Sequence, residues 1–282
     1  MDQSPQKAAT PTARAYDVAV VGGGASGLAA ALFTARYGLD TVVFDRGQSA
    51  IRRSYAIENY LGLLGVTPEQ FLRLARSHVA YEGAEVVDDL VTRVTEAGGG
   101  FRVETQDGPG VTADRVVAAS AYNADYLSEV ADGELHDEGD HPVDCDEATG
   151  RTAVDGLYVA GWLSGQPHQV LIAAGHGGRV GKELVSDYRS RRGHWDGVDS
   201  YWDWSVEADS YGDETWHEHV DEWFESTLPE DHEFDEERIE RVREAVKAER
   251  LGFECSPAER DARLADAREL LERELGVGDD GG

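Results

Sequence analysis

The chain has 282 residues, of which 26 are Lys or Arg and 56 are Asp or Glu, so its formal net charge is −30. This charge argues against binding to nucleic acids or anionic membranes, because like charges repel. The two cysteines, Cys145 and Cys255, form neither a C-x-x-C pair nor a four-ligand metal set. Residues 1–15 form a polar tail without the apolar segment of a signal peptide, and no run of about eighteen apolar residues occurs. We therefore expect a cytoplasmic protein without a membrane span.

The positive charge of the chain comes almost entirely from arginine. Only Lys7, Lys182 and Lys247 are lysines. An acid-coated, lysine-poor chain is similar in composition to haloarchaeal proteins, which stay soluble in concentrated salt. Apolar residues recur with regular spacing through most of the sequence, and this pattern argues against a disordered acidic chain.

A glycine-rich turn follows the first apolar run of the sequence. Residues 18–21 are short, apolar and mostly β-branched, as in a buried parallel strand. Gly22, Gly24 and Gly27 then fit the pattern G-x-G-x-x-G. In this pattern the first glycine allows a tight turn, the second lets backbone amides approach a pyrophosphate, and the third lets the helix lie close to the strand.

A helix and a second strand complete a βαβ unit. We predict the helix at residues 26–37, with its N-terminus directed at the phosphate, where free N–H groups and the helix dipole favour an anion. Residues 41–44 form the second strand, and Asp45 follows it at the position where a ribose hydroxyl would lie. Strand, turn, helix, strand and acid in this order favour a dinucleotide-binding domain over a merely structural turn.

The remaining elements follow in chain order. Thr67, Pro68 and Gln70 form a capping box that begins a helix ending near Gly83. We predict strands at 84–87, 90–94, 101–105, 111–113 and 115–119, a short helix at 123–130, strands at 141–146 and 156–161, and a helix with a glycine-rich middle at 169–189.

The last third of the chain differs in composition. Residues 195–282 contain 29 acids and 9 bases, together with five of the six tryptophans. Apolar stripes at helical spacing predict three helices, which pack on the nucleotide domain or on a partner. His217, His219, Asp221 and Glu222 could be metal ligands, but the surrounding acids favour a solvated face, and we predict no metal site.

Several motifs, taken together, resemble one family. The stretch VAVVGGGASGLAAALFTARYGL is followed by VVFDRGQ, IENYLG, GLYVAG and HQVLIAAGHGG. This series is similar to thioredoxin reductase and related flavoproteins with two dinucleotide-binding domains. The resemblance implies FAD and a discontinuous FAD-binding domain over 16–192, with segments 16–120 and 141–192. It also implies that a short linker replaces the NADPH domain, since only about twenty residues separate the two segments, far too few for a nucleotide domain.

The resemblance also implies roles for single residues. The glycine turn would hold the pyrophosphate, Asp45 the ribose, Arg46 and Val91 the adenosine, Asn59 the isoalloxazine ring, and the amides of Gln169 and Val170 the flavin pyrimidine. The predicted cofactor-binding residues are Gly22, Gly24, Ser26, Gly27, Asp45, Arg46, Gln48, Asn59, Val91, Gly161, Gln169 and Val170. The implied fold is an α/β, three-layer FAD/NAD(P)-binding (Rossmann-like) domain with a parallel sheet and a β-meander, followed by an acidic helical appendage over 193–282.

The chain departs from the family pattern in three respects. Trp162 stands where the family has an aspartate that binds the ribityl chain, and both the redox C-x-x-C and the NADPH domain are absent. Two hypotheses follow. The first is an FAD-dependent oxidoreductase of unknown electron donor and acceptor. The second is a non-catalytic nucleotide-binding module that docks a protein partner, or a second copy, through its C-terminal helices.

No catalytic residue can be assigned from the sequence. His168, beside Gln169, is either a proton donor near the flavin or a neutral loop residue. Cys145 would act as a nucleophile only with an exposed, ionised thiol. Trp162 either covers the flavin or fills the space of the missing aspartate. Arg52 and Arg53 would neutralise a phosphate or pair with the many acids.

Overall fold

The computed structural model of the chain describes residues 14–133, 135, 143–207 and 215–276. The strands of its main sheet are β1 (Arg14–Val21), β2 (Thr41–Phe44), β3 (Glu85–Val87), β4 (Val91–Ala97), β5 (Gly100–Thr105), β6 (Val111–Ala118) and β7 (Leu157–Val159). These seven strands lie in the order β3-β2-β1-β6-β5-β4, with β7 paired to β6. Strands β1, β2, β3, β6 and β7 run parallel where they pair, whereas β4, β5 and β6 form an antiparallel meander.

Six helices lie in the described part of the chain, and none of them is long and apolar enough to cross a membrane. The three helices predicted after residue 195 are α4 to α6, and the capping box predicted at Thr67 begins α2. The helices are α1 (Ala25–Arg36), α2 (Pro68–Tyr81), α3 (Val170–Arg191), α4 (Thr215–Ser226), α5 (Glu236–Leu251) and α6 (Pro257–Leu275).

Both faces of the parallel sheet are buried, and alternate residues of β1 face opposite layers. Val18 and Val20 belong to the apolar cluster under helices α1, α2 and α3. Ala19 and Val21 belong to the cluster under the meander, because successive side chains of a strand point to opposite faces. Helices, parallel sheet and meander thus form the three layers of the predicted Rossmann-like fold, which is confirmed.

The two strands predicted at 111–113 and 115–119 are one strand. Asp114 interrupts the apolar pattern of the sequence, but its side chain is exposed while the pairing with β1 continues on both sides of it. The opposite edge of β6 changes partner along its length. Its first half pairs antiparallel with β5, and its second half pairs parallel with β7. Strand β6 therefore joins the meander to the parallel sheet.

The predicted N-terminal boundary is also wrong by two residues. Arg14 and Ala15 lie in the predicted tail, but they pair with Val111 and Thr112 of β6 and belong to β1. The hydrogen bonds of the sheet thus extend beyond the apolar run that predicted the strand.

The prediction of a helix at 123–130 is wrong, because the structure has two 3-10 turns there, Asp125–Leu127 and Val130–Gly133. Asn123 Oδ1 accepts the backbone N–H of Asp125 at 2.6 Å, and Ser120 Oγ donates to the carbonyl of Asn123 at 2.6 Å. Such side-chain bonds to the backbone compete with helical hydrogen bonds. They set a turn where apolar spacing alone had indicated a helix.

The strand predicted at 141–146 is wrong for residues 143–146, which have no regular structure, while 141 and 142 lie outside the described residues. The linker between β6 and β7 is nevertheless packed. Its apolar residues join the cluster under the meander, where burial stabilises them without strand pairing. They are Ala124, Tyr126, Leu127, Val130, Leu135 and Val143.

The glycines of α3 bring it against α1. A Cβ at Gly177 would lie 2.0 Å from the carbonyl oxygen of Ser26, and one at Gly181 would lie 2.7 Å from that of Ala30. Gly175, in contrast, faces open space. Close packing against α1 therefore explains the glycines at 177 and 181.

The C-terminal helices have a small core of their own and also contact the nucleotide domain. Trp195, Val198, Phe224, Val242 and Val246 form this core. Helix α6 has no buried residue and lies against α2 through polar contacts. These contacts are Gln70 Nε2 to the carbonyl of Leu275 at 3.1 Å, Arg73 to the carbonyl of Glu274 at 2.9 Å, Ser77 Oγ to Glu274 at 2.8 Å and Tyr81 to Asp266 at 2.7 Å.

We predict that Gly177→Ala lowers the free energy of unfolding by about 1–3 kcal/mol, because the added methyl group forces α3 away from α1. The matched control is Gly175→Ala on the same helix, which has room for a methyl group and should raise stability by up to about 1 kcal/mol. Denaturant unfolding in concentrated salt measures both changes. Equal effects at the two positions would contradict the close approach of the two helices.

Candidate functional site

One cleft of about 560 Å³ lies at the carboxyl ends of β1, β2, β6 and β7. Ligands of open α/β sheets bind at this edge, and the volume lies within the range of about 300–1,000 Å³ that is usual for ligand pockets. At one end, which we call the Asp45 end, the cleft is lined by Asp45, Asp89 and Val91. At the other, the α3 end, it is lined by Trp162, His168, Gln169 and Val170.

Two of the predicted glycines serve the packing of the turn between β1 and α1. Gly22 has a φ of +117°, and a Cβ there would lie 2.4 Å from the carbonyl oxygen of Ala119. A Cβ at Gly27 would lie 1.9 Å from the carbonyl oxygen of Gly22, and Gly27 does not line the cleft. Gly22, Gly24 and Ser26 do line it. The turn therefore presents backbone at Gly24 and Ser26 to a ligand.

Gly23 is a site residue that the spacing of the motif did not reveal. It lines the cleft, and a Cβ there would lie 2.5 Å from the Asp45 side chain. The run of three glycines was the available signal, since the motif leaves the middle position free. Gly23 makes room for the carboxylate at the end of the second strand.

Asp45 is buried and held in place by two donors. Its Oδ1 accepts the backbone N–H of Gly47 at 2.8 Å, and its Oδ2 accepts Nη1 of Arg76 at 2.9 Å. A carboxylate has about four acceptor positions, so it retains capacity for ribose hydroxyls. Arg76 lies on α2, far from the glycine motif, and nothing in the motif predicted it. It also contacts Asp88.

Two helices point uncapped N-termini at the cleft. Helix α1 begins after Gly24 and α3 begins after Gln169, and neither has a side-chain cap. In contrast, Thr67, Asp235 and Ser256 cap α2, α5 and α6 with their side chains. The first N–H groups of a helix need acceptors, and the helix dipole favours a negative charge there. The cleft is therefore suited to a ligand that presents anionic or acceptor groups at two separate places.

The other predicted residues take several positions around the cleft. Val91 is a buried lining residue at the Asp45 end, and the exposed side chains of Arg46 and Gln48 line the cleft there. Gly161 is buried, has a φ of +75°, and leaves room for Ser26, whose Oγ would lie 2.4 Å from an added Cβ. Gly161 therefore acts through close packing and does not line the cleft.

Asn59 lies outside the set of lining residues but contacts one of them. Its side-chain amide donates to Oε1 of Gln169 at 2.6 Å, across 110 positions of sequence. This bond joins the loop after β2 to the start of α3. Asn59 thus holds Gln169 in place from outside the cleft.

Neither cysteine lines the cleft. Burial, together with Asp144, Asp146 and Glu147, raises the pKa of Cys145 to about 11, so its thiol is protonated at neutral pH. The hypothesis of Cys145 as a flavin-facing nucleophile is therefore not supported. In the part of the chain that the structure describes, no three His, Cys, Asp or Glu residues are placed to hold a metal ion.

A buried histidine stabilises the turn after β7. His176 Nδ1 accepts the backbone N–H of Gly161 at 3.0 Å, which requires an unprotonated nitrogen. Burial lowers the pKa of His176 from its ordinary value. His176 was not among the predicted residues, although its position seven residues after Gln169 places it on α3.

Comparisons with known proteins identify the family. A family model described as pyridine nucleotide-disulphide oxidoreductase matches residues 3–161, more than half of the chain. The chain belongs to this family. The thioredoxin reductase of Aquifex aeolicus is 32% identical over 110 residues, which are 38% of this chain and 34% of that protein. One component of the alkyl hydroperoxide reductase of Escherichia coli is 30% identical over 112 residues, which are 38% of this chain and 21% of that protein.

Solved structures agree with the fold of the family. A thioredoxin reductase from Gloeobacter violaceus has a TM-score of 0.58 at 18% identity and covers 68% of this chain and 99% of its own. The thioredoxin reductase of T. acidophilum has a TM-score of 0.54, also at 18% identity, and covers 62% of this chain and 99% of its own. The chain spans about a third or less of the length of the two curated relatives.

Family membership confirms the predicted resemblance to thioredoxin reductase-like flavoproteins, and these relatives are consistent with the predicted cofactor, FAD. The cleft fits this cofactor by its own geometry. FAD has a pyrophosphate, an adenosine ribose and a flavin, and the cleft offers two uncapped helix N-termini at separate places and the Asp45 carboxylate to a ligand of this kind.

We predict that the free energy of unfolding decreases as the pH falls from 7.5 to 5.5. The unfolded His176 has an ordinary pKa near 6.5, and burial lowers the folded value, so the unfolded chain binds more protons below about pH 6.5. His194 acts in the same direction, because burial and Arg189 lower its pKa to about 4.

Urea unfolding at the two pH values tests this prediction. His176→Gln should make the loss of stability smaller, whereas His168→Gln, which removes an exposed imidazole, serves as the control. If His176→Gln left the pH dependence unchanged, the neutral His176 ring would have no part in it.

Proposed function

We propose that the chain is an FAD-dependent oxidoreductase that obtains electrons from a separate donor and passes them to a separate acceptor. The observation that carries this proposal is the pair of uncapped helix N-termini at two positions along one cleft, with Asp45 beside the first. A mononucleotide would need only one of these termini. The α3 terminus gives the site a second binding position for the flavin half.

Each part of the cleft then has a role in holding the cofactor. The amides of the turn at Gly24 and Ser26 would bind the pyrophosphate, and Asp45 would accept the ribose hydroxyls. The amides of Gln169 and Val170 would face the flavin and favour a negative charge there. FAD supplies two-electron redox chemistry when bound, and these residues position it and exclude water from its phosphate and ribose.

The source of electrons is the feature in which this chain differs most from its relatives. Only residues 119–156 join β6 to β7 where a nucleotide domain would have to be inserted, and the described part of this linker contains two 3-10 turns whose apolar residues are packed. The two cysteines are not close in sequence, and neither lines the cleft. We therefore propose a diffusing pyridine nucleotide or a protein as donor, and an acceptor reached without a dithiol of this chain.

A second candidate function has an observation of its own. Arg76, which holds Asp45, lies on α2 between Arg73 and Ser77, which bind the C-terminal end of α6. This arrangement would suit a module that senses a bound nucleotide and signals through its acidic helices. The enzyme proposal is preferred because the flavin-facing α3 terminus has no evident use in a sensor of adenosine alone.

The visible spectrum of protein purified in concentrated salt distinguishes the two candidates. We expect a yellow protein that binds FAD with one equivalent per chain and is bleached by dithionite, with bleaching by NADPH identifying a diffusing donor. A protein that stays colourless with added FAD would overturn the enzyme proposal. Bleaching by dithionite but not by NADPH would support a protein donor.

We predict that Asp45→Ala weakens FAD binding by about 1.5–3 kcal/mol, because a charge-assisted hydrogen bond to the ribose is lost. Asp88→Ala is the matched control, since Asp88 is the other carboxylate that binds Arg76 and it does not line the cleft. Titration of the apo variants with FAD gives both affinities. Equal affinities for the two variants would show that Asp45 does not bind the ribose.

A further inference from the structure

The acidic side chains that line the cleft all lie at one of its two ends. Asp45 and Asp89 are the only acids among its described lining residues, and both lie at the Asp45 end. Asp89 accepts three backbone N–H groups there, from Leu90, Asp107 and Gly108. At the α3 end the lining residues include Arg53 but no acid. In a chain with 56 acids and 26 bases, this end of the cleft has no carboxylate among its lining residues.

An aromatic cluster forms one wall of the α3 end. The Trp162 ring lies 5.0 Å from that of Tyr122 and 5.3 Å from that of His168, measured between centroids. The guanidinium of Arg53 lies over the Tyr122 ring at 5.1 Å. All four residues line the cleft, although they come from three separate loops, with Trp162 and His168 both in the loop between β7 and α3. Tyr122 is 45% exposed, so the cluster retains open ring surface.

The cluster lies between the two helix N-termini. Trp162 follows Gly161, which packs against Ser26 at the start of α1. His168 precedes Gln169, after which α3 begins. The rings thus line the same cleft as both helix N-termini, and their sequence neighbours lie at those termini.

We propose that Trp162 and Tyr122 hold the ribityl–flavin half of FAD by aromatic contact, and that the acid-free α3 end binds reduced FAD more tightly than oxidised FAD. This inference rests on the proposed function. Reduction adds two electrons and one proton to FAD and gives FADH⁻, which has one more negative charge. The α3 dipole and Arg53 favour that charge, and no lining carboxylate opposes it at this end.

Three substitutions at Trp162 separate contact from charge. Trp162→Phe keeps an aromatic ring, Trp162→Asn removes it, and Trp162→Asp differs from Trp162→Asn only by a negative charge. The emission of bound flavin reports the contact, because indole quenches a flavin that it touches. The affinities for oxidised and dithionite-reduced FAD report the charge.

We expect wild-type protein to bind reduced FAD at least tenfold more tightly, which corresponds to a midpoint potential about 30 mV above that of free FAD. Trp162→Asp should lower this preference about tenfold relative to Trp162→Asn. Bound flavin should emit several-fold more strongly in Trp162→Asn than in wild-type protein, and Trp162→Phe should retain most of the affinity. The measurements are made in about 1 M salt, where the Debye length is about 3 Å. Distant charges are then screened, so differences in affinity report charges close to the flavin.

The outcomes distinguish this inference from the proposed function. If wild-type protein does not bind FAD, both fail. If it binds FAD but Trp162→Asp and Trp162→Asn have the same preference, the charge inference is wrong and the proposed function stands. Unchanged emission in Trp162→Asn would exclude the aromatic contact. Circular dichroism checks folding, and the pair Tyr122→Asp and Tyr122→Asn repeats the test at an exposed ring if Trp162 variants unfold.

Discussion

The close approach of α3 to α1 is the constraint on which the site depends. Gly177 allows the helices to meet at the carbonyl of Ser26, and Gly161 leaves room for the side chain of the same residue. Any side chain at Gly177 would separate the helices, because a protein interior has no spare volume. Since α1 and α3 both begin at the cleft, their separation also sets the distance between the two positions at which an extended anion can bind.

The sequence was sufficient to predict the fold and the residues at one end of the cleft. Short-range signals predicted the strand, the glycine turn, the acid at Asp45 and the capping box at Thr67, because spacing along the chain determines each of them. The prediction for the linker was wrong, because side-chain hydrogen bonds of Ser120 and Asn123 to the backbone favour turns where a helix was predicted. The predicted strands also divided β6 in two, since an exposed Asp114 resembles a loop residue when strand pairing is unknown.

The residues that the sequence did not reveal act through contacts between distant segments. Arg76 reaches Asp45 from α2, His176 accepts a hydrogen bond from Gly161, and Tyr122 meets Trp162 only after β6 and β7 have paired. None of these pairs belongs to a local motif, so no spacing rule predicts them. Gly23 is the exception. The nearby Asp45 side chain leaves no room for a Cβ at this position, and the run of three glycines could be read from the sequence.

Helix α2 is shared by two parts of the molecule. Arg76 of this helix binds the carboxylate at the Asp45 end of the cleft, and Arg73 and Ser77 beside it bind the end of α6. Thermodynamic linkage makes any coupling through such an element reciprocal. If the attachment of α6 changes the affinity for the nucleotide by some factor, then binding of the nucleotide changes the equilibrium constant for attachment of α6 by the same factor.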